Sequence, residues 1–481
     1  MMYTWKHPAL AAALVAGLAA PAAAQSNAAL LKELKALRER VDQLERKLRD
    51  QESRTGSAPA AAAPAAPMVV APAAPPTTAP DTPSGMTAEQ QQEFNRVVVK
   101  TEALEDAREA SGFKGLKISG YMDPTYIYNH LQDRAGFQFL NRVDDDGYNY
   151  DNSYFGAAVL DLQKETDSNT RWRLTLAPNR GVGAVFDGTS IVHEASVSVP
   201  LGNLQTRFIA GQLPDWSGYE YLQPTLNKLI THNLLFDFTL PTAYTGAGME
   251  ITRGKWITKW MVANMNASKR SSGNKSPVLA YRVDYSRGEF KGFGFAGVHG
   301  KAANFSENVV DDQGEVVPQR DSVLHLFEFD AYFIRGDWTV QGQASIGTQR
   351  RAAITPDPDT GALRNAHWWG LSGLAAYKIT PRFETIARLD YLHNKRHGGG
   401  LLGYTAADDR NGIGPAPDGD PERGANRYAL SLGASYLFNL NTTLKAEYRL
   451  DRANLPVFLD VDDGGYKKTN HLLGASVLVS F

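Results

Sequence analysis

The segment HLLGASVLVSF, residues 471–481, alternates along its length. Leu473, Ala475, Val477, Val479 and Phe481 fall on one face, with Gly474, Ser476 and Ser480 between them. A two-residue period marks a strand whose faces meet different surroundings. The same pattern stands upstream in DWTVQGQASIGT, residues 337–348. There Trp338, Val340, Gly342, Ala344 and Ile346 share one face, and Thr339, Gln341, Gln343 and Ser345 the other.

Working outward from these two segments, two-residue alternation governs everything after Gly115. Sixteen strands are expected, at 116–128, 151–163, 170–177, 190–199, 204–212, 245–252, 256–265, 278–287, 291–300, 323–334, 338–348, 366–378, 383–394, 426–438, 442–452 and 470–481. Some connections are minimal: PLGN at 200–203, RGK at 253–255, RGD at 335–337, ITP at 379–381 and NLN at 439–441. Others are long, such as 213–244 and 395–425, and short alternates with long along the whole body. All tight turns then gather at one end of a meander and all long loops at the other. That is the plan of an all-β, transmembrane, antiparallel up-and-down β-barrel. In a bilayer every backbone N–H and C=O needs a partner, so the last strand must close on the first. Residues 471–481 suit that closure, and the terminal aromatic Phe481 resembles the signal by which barrel proteins are recognised for outer-membrane assembly. Tyr126 and Tyr128, Trp256 and Trp260, Trp368 and Trp369, and Tyr436 and Phe438 are expected in interfacial girdles.

The 481 residues carry a formal charge of −2, no cysteine, and a mean hydropathy of −0.35. Near-neutral charge gives no basic face for nucleic acid, and absent cysteine removes thiolate metal sites and disulfides. Lys6 and His7, the apolar run from Ala9 to Ala20 and the small residues Ala22, Ala23 and Ala24 read as a secretory signal, 1–24. No 18-residue apolar stretch follows it.

Leu30, Leu34, Leu37, Val41, Leu44 and Leu48 then recur at spacings of four and three, the a and d positions of a coiled coil over 25–55. Glu33–Arg38, Arg40–Glu45 and Lys47–Glu52 supply opposite charges at its flanks and favour a parallel homo-oligomer. Ala, Pro, Ser and Thr dominate 56–86, a disordered linker able to reach about 90 Å. A short helix is expected over 87–112, opened by Thr87 with Gln90 and closed by Gly112. The barrel occupies 113–481.

Signal, coiled coil, linker and barrel in this order resemble trimeric Gram-negative porins with a periplasmic zipper. The run SGYEYLQPTLNKLITHNLLFDFTLPTAYTG, residues 217–246, with Gly218, Tyr219, Glu220, Asn227, Phe236, Pro241, Thr245 and Gly246, resembles the stretch typical of β-barrel porins of the porin-2 class. This resemblance implies a Gram-negative outer-membrane channel and names no substrate.

A sixteen-strand lumen holds water unless side chains narrow it. The loop 213–244 is the expected constriction. It carries Asp215, Glu220, Lys228, His232 and Asp237, and its many leucines suit packing against a wall. Alternation assigns Arg207, Arg282, Asp284, Glu328, Asp330, Glu384, Arg388 and Asp390 to the lumen, with Gln341 and Gln343. Arg427, Lys445, Glu447, Arg449 and Asp451 join them. These charges either segregate across the pore and set a transverse field or pair locally and stiffen the wall. Asp144 and Asp146, and Asp460 and Asp462, crowd oxygens in long loops, but their spacing departs from a regular calcium loop. No cofactor is expected, and no nucleophile–base motif points to an enzyme. The expected function is passive diffusion of small hydrophilic solutes through an outer-membrane porin, assembled as a trimer. The alternative is a plugged barrel that anchors a periplasmic coiled coil holding peptidoglycan.

Overall fold

Tyr121 and Met122 lie opposite Ser480 and Val479, so the final strand pairs with the first and the sheet has no edge. This computed structural model describes residues 96–103, 113–140, 155–178, 191–267, 277–304, 308–310, 316–318 and 321–481. The signal, the zipper leucines, the linker, Asp144 and Asp146 lie outside these residues. The chain divides into two compact units, and the one ending at Lys114 contributes a helix over 96–103, inside the expected 87–112.

The second unit is a closed antiparallel barrel of sixteen strands. They are β1 (Leu116–Met122 continued by Thr125–Asn129), β2 (Arg134–Gln138 and Ala158–Glu165), β3 (Arg171–Leu176), β4 (Val192–Leu201) and β5 (Asn203–Pro214). Next come β6 (Pro241–Arg253), β7 (Trp256–Ala267), β8 (Val278–Ser286), β9 (Lys291–Ala303), β10 (Asp321–Arg335) and β11 (Trp338–Gln349). The last are β12 (Ala366–Thr380), β13 (Phe383–His393), β14 (Arg427–Asn439), β15 (Thr442–Ala453) and β16 (Thr469–Ser480).

Pro124 has no N–H to give and interrupts β1. At the break, the Asp123 carboxylate accepts the Ala157 amide at 2.6 Å. The two pieces of β2 share one ladder position, one beside each half of β1. Tight turns join β4 to β5, β6 to β7 and β10 to β11, and Gly254 and Gly336 take φ of +60° and +58° in two of them, as close hairpins demand. Closure ends where the opening segment placed it. Phe481 exchanges backbone hydrogen bonds with Gly120 at 3.0 and 3.2 Å. A Cβ on Gly120 would stand 2.7 Å from the Phe481 ring, so glycine makes room for that aromatic.

The outward face is apolar. On β10, Phe327, Phe329 and Phe333 are exposed while Leu324, Leu326, Glu328 and Asp330 on the opposite face are buried. Leu371, Leu389, Leu430, Leu432, Val477 and Val479 continue the exposed band around the wall. A band of this size on a closed sheet is a lipid contact.

The inward face departs from a simple polar lumen. Toward the long-loop end it is also apolar, with Met261, Met265, Val298, Leu324, Leu326, Leu392 and Leu472 in one buried cluster. Trp368 belongs to that cluster at 1 % exposure, so it is a core residue and not the girdle residue expected of it, whereas Trp369 faces outward. The cause lies in register: Ala366, Trp368, Gly370 and Ser372 share the inner face of β12.

Depth in the bilayer sets the cost of a charge on the outward band. Leu371→Arg, in mid-strand, is expected to lower stability by about 2–4 kcal/mol, and Ile379→Arg, beside a tight turn, by about 1 kcal/mol or less. Reversible urea unfolding from phosphatidylcholine vesicles measures both.

Candidate functional site

The loop after β5 turns into the barrel instead of away from it. Asp215 starts the turn by accepting the Ser217 amide and hydroxyl at 3.0 and 3.1 Å and the Tyr244 hydroxyl at 2.5 Å. Gly218 takes φ +79°, and a Cβ there would meet the side chains of Gln343 and Glu328 within 3.0 Å. Tyr219 then reaches the opposite wall, its hydroxyl 2.6 Å from Ser372 Oγ.

Loop folding is local as well as borrowed from the wall. Asn227 bonds both the amide and carbonyl of Tyr221, and His232 Nε2 lies 2.8 Å from the same carbonyl. Asn233 caps the short helix Leu234–Thr239, its Oδ1 accepting from the amides of Leu235 and Phe236 at 2.9 and 2.8 Å. Every residue of that helix is buried. Leu235, Leu229 and Ile230 rest where the wall presents Gly370, Gly433 and Gly474. A Cβ at Gly433 would stand 2.3 Å from Leu229 Cδ2.

Charged wall side chains grip the loop backbone at Thr231 and His232. Glu447 accepts the amides of Ile230 and Thr231, each at 2.8 Å, and the Thr231 hydroxyl at 2.6 Å. Arg388 donates to the carbonyls of Thr231 and His232 at 2.7 and 2.8 Å, and Arg449 to the His232 carbonyl at 2.6 Å. Lys445 binds the carbonyls of Pro224 and Asn227 at 2.7 and 2.6 Å. Side chains of the loop answer these. Glu220 pairs with Arg388 at 2.8 Å, and Lys228 with Glu384 at 2.8 Å. Asp390 completes the group, 3.2 Å from Arg388 and accepting the Ser372 hydroxyl at 2.6 Å. Low dielectric strengthens each bond and makes each unmade one costly.

At the long-loop end further segments cover the helix. Leu401, Leu402, Tyr404 and Ile413 of the β13–β14 connection join its apolar cluster, and the Tyr404 ring meets Phe238 edge-on at 5.4 Å. Arg427 lies 5.0 Å from the Phe238 ring centre and bonds Asp451 at 2.7 Å. Arg364 ties the β11–β12 connection to Glu422 at 2.6 Å, and this bond holds the Glu422 carboxyl below the ordinary carboxylate range. In the β15–β16 connection, Lys467 lies 3.6 Å from Asp460 and 2.6 Å from Asp463, and among the described residues no three potential metal ligands converge. Asp462 uses its own amide to bond Asp460.

Open space lies on the loop's other side. A cavity of about 560 Å³ runs between Trp216, Tyr221 and Leu226 of the loop and Arg173, Glu194, Lys259, Arg282 and Asp330 of the wall. Its cations stand against carboxylates: Arg173 with Asp161 and Glu194 at 2.8 and 3.2 Å, Lys259 with Glu250 at 3.1 Å, and Arg282 with Asp284 and Asp330 at 2.7 Å each. A separate void of about 10 Å³ lies where Leu222 and Gln223 approach Tyr121, Val159, Ala177 and His193, close to the room one water needs.

The family described as "Protein of unknown function (DUF3138)" matches residues 6–481. The chain belongs to this family. No curated protein matches it. Among solved structures, OmpT of Vibrio cholerae with loop L8 deleted is similar at 11 % identity and TM-score 0.47, over 76 % of this chain and 99 % of that one. The anion-selective porin of Comamonas acidovorans is similar at 9 % identity and TM-score 0.45, over 76 % and 99 %. Salmonella typhi OmpF in complex with daunomycin is similar at 12 % identity and TM-score 0.45, over 76 % and 97 %.

Of the residues singled out in the DUF3138 sequence, Glu220, Lys228, His232, Glu384, Arg388, Asp390, Lys445, Glu447 and Arg449 come together around Thr231. Asp237 is buried on the helix, its carboxylate 3.9 Å from His232 Nδ1. Arg282, Asp284 and Asp330 stand at the cavity, with Glu328 buried beside Gly218. Arg207 does not join them, since its hydrogen bonds go to Ser198 and the Asn169 carbonyl. Sequence reading overlooked Thr231 and Asn233, although an Asn before a run of apolar residues is an N-cap signal. It also overlooked Arg173 and Glu194, although the alternation of RWRLTL and EASVSV sets both on the polar face of their strands.

Removing Arg388 leaves Glu220 and Asp390 buried without their cation. Arg388→Met is therefore expected to cost about 3–5 kcal/mol in urea unfolding and to let trypsin cut after Lys228. Arg207→Met, which touches no loop residue, should leave that bond protected.

Proposed function

We propose that this protein is a Gram-negative outer-membrane porin that admits small hydrophilic solutes by passive diffusion along one side of an inserted loop. The observation carrying this reading is the cavity of about 560 Å³ between that loop and a wall of paired charges. Solutes would pass along the polar faces of β2–β8 that border this cavity. The likeness of residues 217–246 to the porin-2 class supports a channel, and it falls on the segment that fills the lumen. In this reading the leader exports the chain, the 25–55 coiled coil gathers three barrels on its periplasmic side, and the linker separates coil from barrel. It holds no cofactor and catalyses no reaction.

The second reading is the plugged anchor, whose coiled coil holds peptidoglycan. The apolar cluster around Leu234–Thr239 favours it, because a dry core conducts nothing.

Single-channel recording in planar bilayers separates the two. The porin reading expects small, discrete steps from the full chain and several-fold larger steps after deletion of 216–239. Silence from the full chain with large steps after deletion would support the plugged anchor. Silence from both would refute a channel.

A further inference from the structure

Among the described residues, six histidines lie at the ends of barrel strands and outside the lumen. His299 on β9, His325 on β10, His367 on β12, His393 on β13 and His471 on β16 all point outward, and His130 follows the end of β1. In the sequence they look scattered. Register gathers them at one level, within a few residues of the strand ends that lead into the long loops.

Contacts link them in groups, and ladder register sets the groups side by side in an arc. His299 Nδ1 lies 3.2 Å from His325 Nδ1, and Tyr281 on β8 reaches His299 at 3.3 Å. The rings of His393 and Trp369 stack at 5.4 Å, and Tyr391 reaches His393 at 3.2 Å. Tyr448 bonds His471 at 2.7 Å, and the His471 and His130 rings lie 6.2 Å apart. Thr348 on β11 and Tyr428 on β14 fill the two remaining places between β8 and β1.

Charges around the arc are mainly positive. Arg396 and His397 face His367, Lys395 and Arg396 face His393, and Lys301 lies two residues beyond His299. Arg452 is exposed on β15 beyond Tyr448. The acidic groups nearby are Asp321 beyond His325, Asp451 near His471, and Asp133 and Asp462 near Tyr128.

Outward tyrosine and tryptophan at a barrel rim mark the headgroup level, where one end of a side chain is apolar and the other wet. Histidine is the side chain whose ordinary titration falls near pH 6.5. A rim that interleaves it with aromatics and adds lysine and arginine just beyond gains positive charge as pH falls. We propose that this arc, from β8 around to β1, binds anionic lipid headgroups of the leaflet at the long-loop end, and that acidification strengthens the binding. The occupant is a lipid, because the imidazoles sit directly against the apolar band of Phe327, Leu371 and Leu473, where acyl chains must lie.

Short-chain phosphatidylglycerol keeps one charge across this pH range, so it isolates the protein's titration. The full chain in a neutral maltoside detergent is titrated with it, and with phosphatidylcholine, at about pH 5.5 and about pH 7.5. Phosphatidylglycerol should bind about ten-fold more tightly at the lower pH, and phosphatidylcholine equally at both. The variant His299→Gln, His325→Gln, His393→Gln should lose most of that difference. Equal affinity for phosphatidylglycerol at the two pH values, or an undiminished effect in the variant, would overturn the proposal. Displacement by inorganic phosphate at the lipid's own concentration would also overturn it, assigning the arc to a free anion. Should the triple variant not fold, the wild-type comparison of the two lipids decides alone.

Discussion

A strand crossing hydrocarbon cannot leave an N–H or C=O unpaired, and the architecture descends from that constraint. It forces the last strand onto the first, and Phe481 meets Gly120 as the outcome. Sixteen strands closed in this way enclose more space than their own side chains fill. The interior then needs an occupant, and the segment between β5 and β6 supplies one. Filling explains why the inner face is apolar in one half and charged in the other. The half around the helix Leu234–Thr239 packs leucine on leucine, and the other must hold a loop backbone that has no ladder of its own.

Wall charges solve that second problem. Loop carbonyls and amides at Thr231 and His232 have no strand partner, so Glu447, Arg388 and Arg449 satisfy them directly. Each of these ions is buried, and burying an ion is costly unless its hydrogen bonds are all made. Here one cation meets carboxylates and carbonyls together, which offsets the desolvation and fixes a single loop position. At the cavity the grip is sparser: Arg173 and Lys259 pair within the wall, and Arg282 adds one bond, to the Trp216 carbonyl at 2.9 Å, to its wall carboxylates. That side stays open. A lumen divided between a densely gripped face and a sparsely held one that borders the cavity is the physical basis for reading the protein as a restricted channel.

Much of the wall was legible because its signals are local. The alternation of Phe327, Phe329 and Phe333 against Glu328 and Asp330 needs no tertiary knowledge, nor does a Gly in a two-residue turn. Lumen assignment of Arg388, Glu447 and Arg449 followed from the same period of two. Four features were not legible. Trp368 looked like a girdle residue because aromatic pairs near strand ends usually face the interface, and only register against Ala366 places it inside. The break in β1 and the short segment Arg134–Gln138 hid because Pro124 divides one strand position into two pairings. Histidines spread along the chain from the end of β1 to β16 share one level only after the barrel closes. The leucines of the 213–244 loop signalled packing, yet Gly370, Gly433 and Gly474, which make room for them, carry no mark of that role in the sequence.

The claim on which the rest turns is that this loop lies inside the barrel against β13–β15. Lys228 and Glu384 touch at 2.8 Å across that contact, which suits a zero-length carbodiimide that joins an amine only to a carboxylate already beside it. Treating the folded protein in its membrane and mapping the coupled peptides by mass spectrometry should yield a 228–384 amide as a principal internal product. Its absence, or Lys228 found joined to carboxylates of the exposed connections such as Asp357 or Asp418, would place the loop outside and contradict the account.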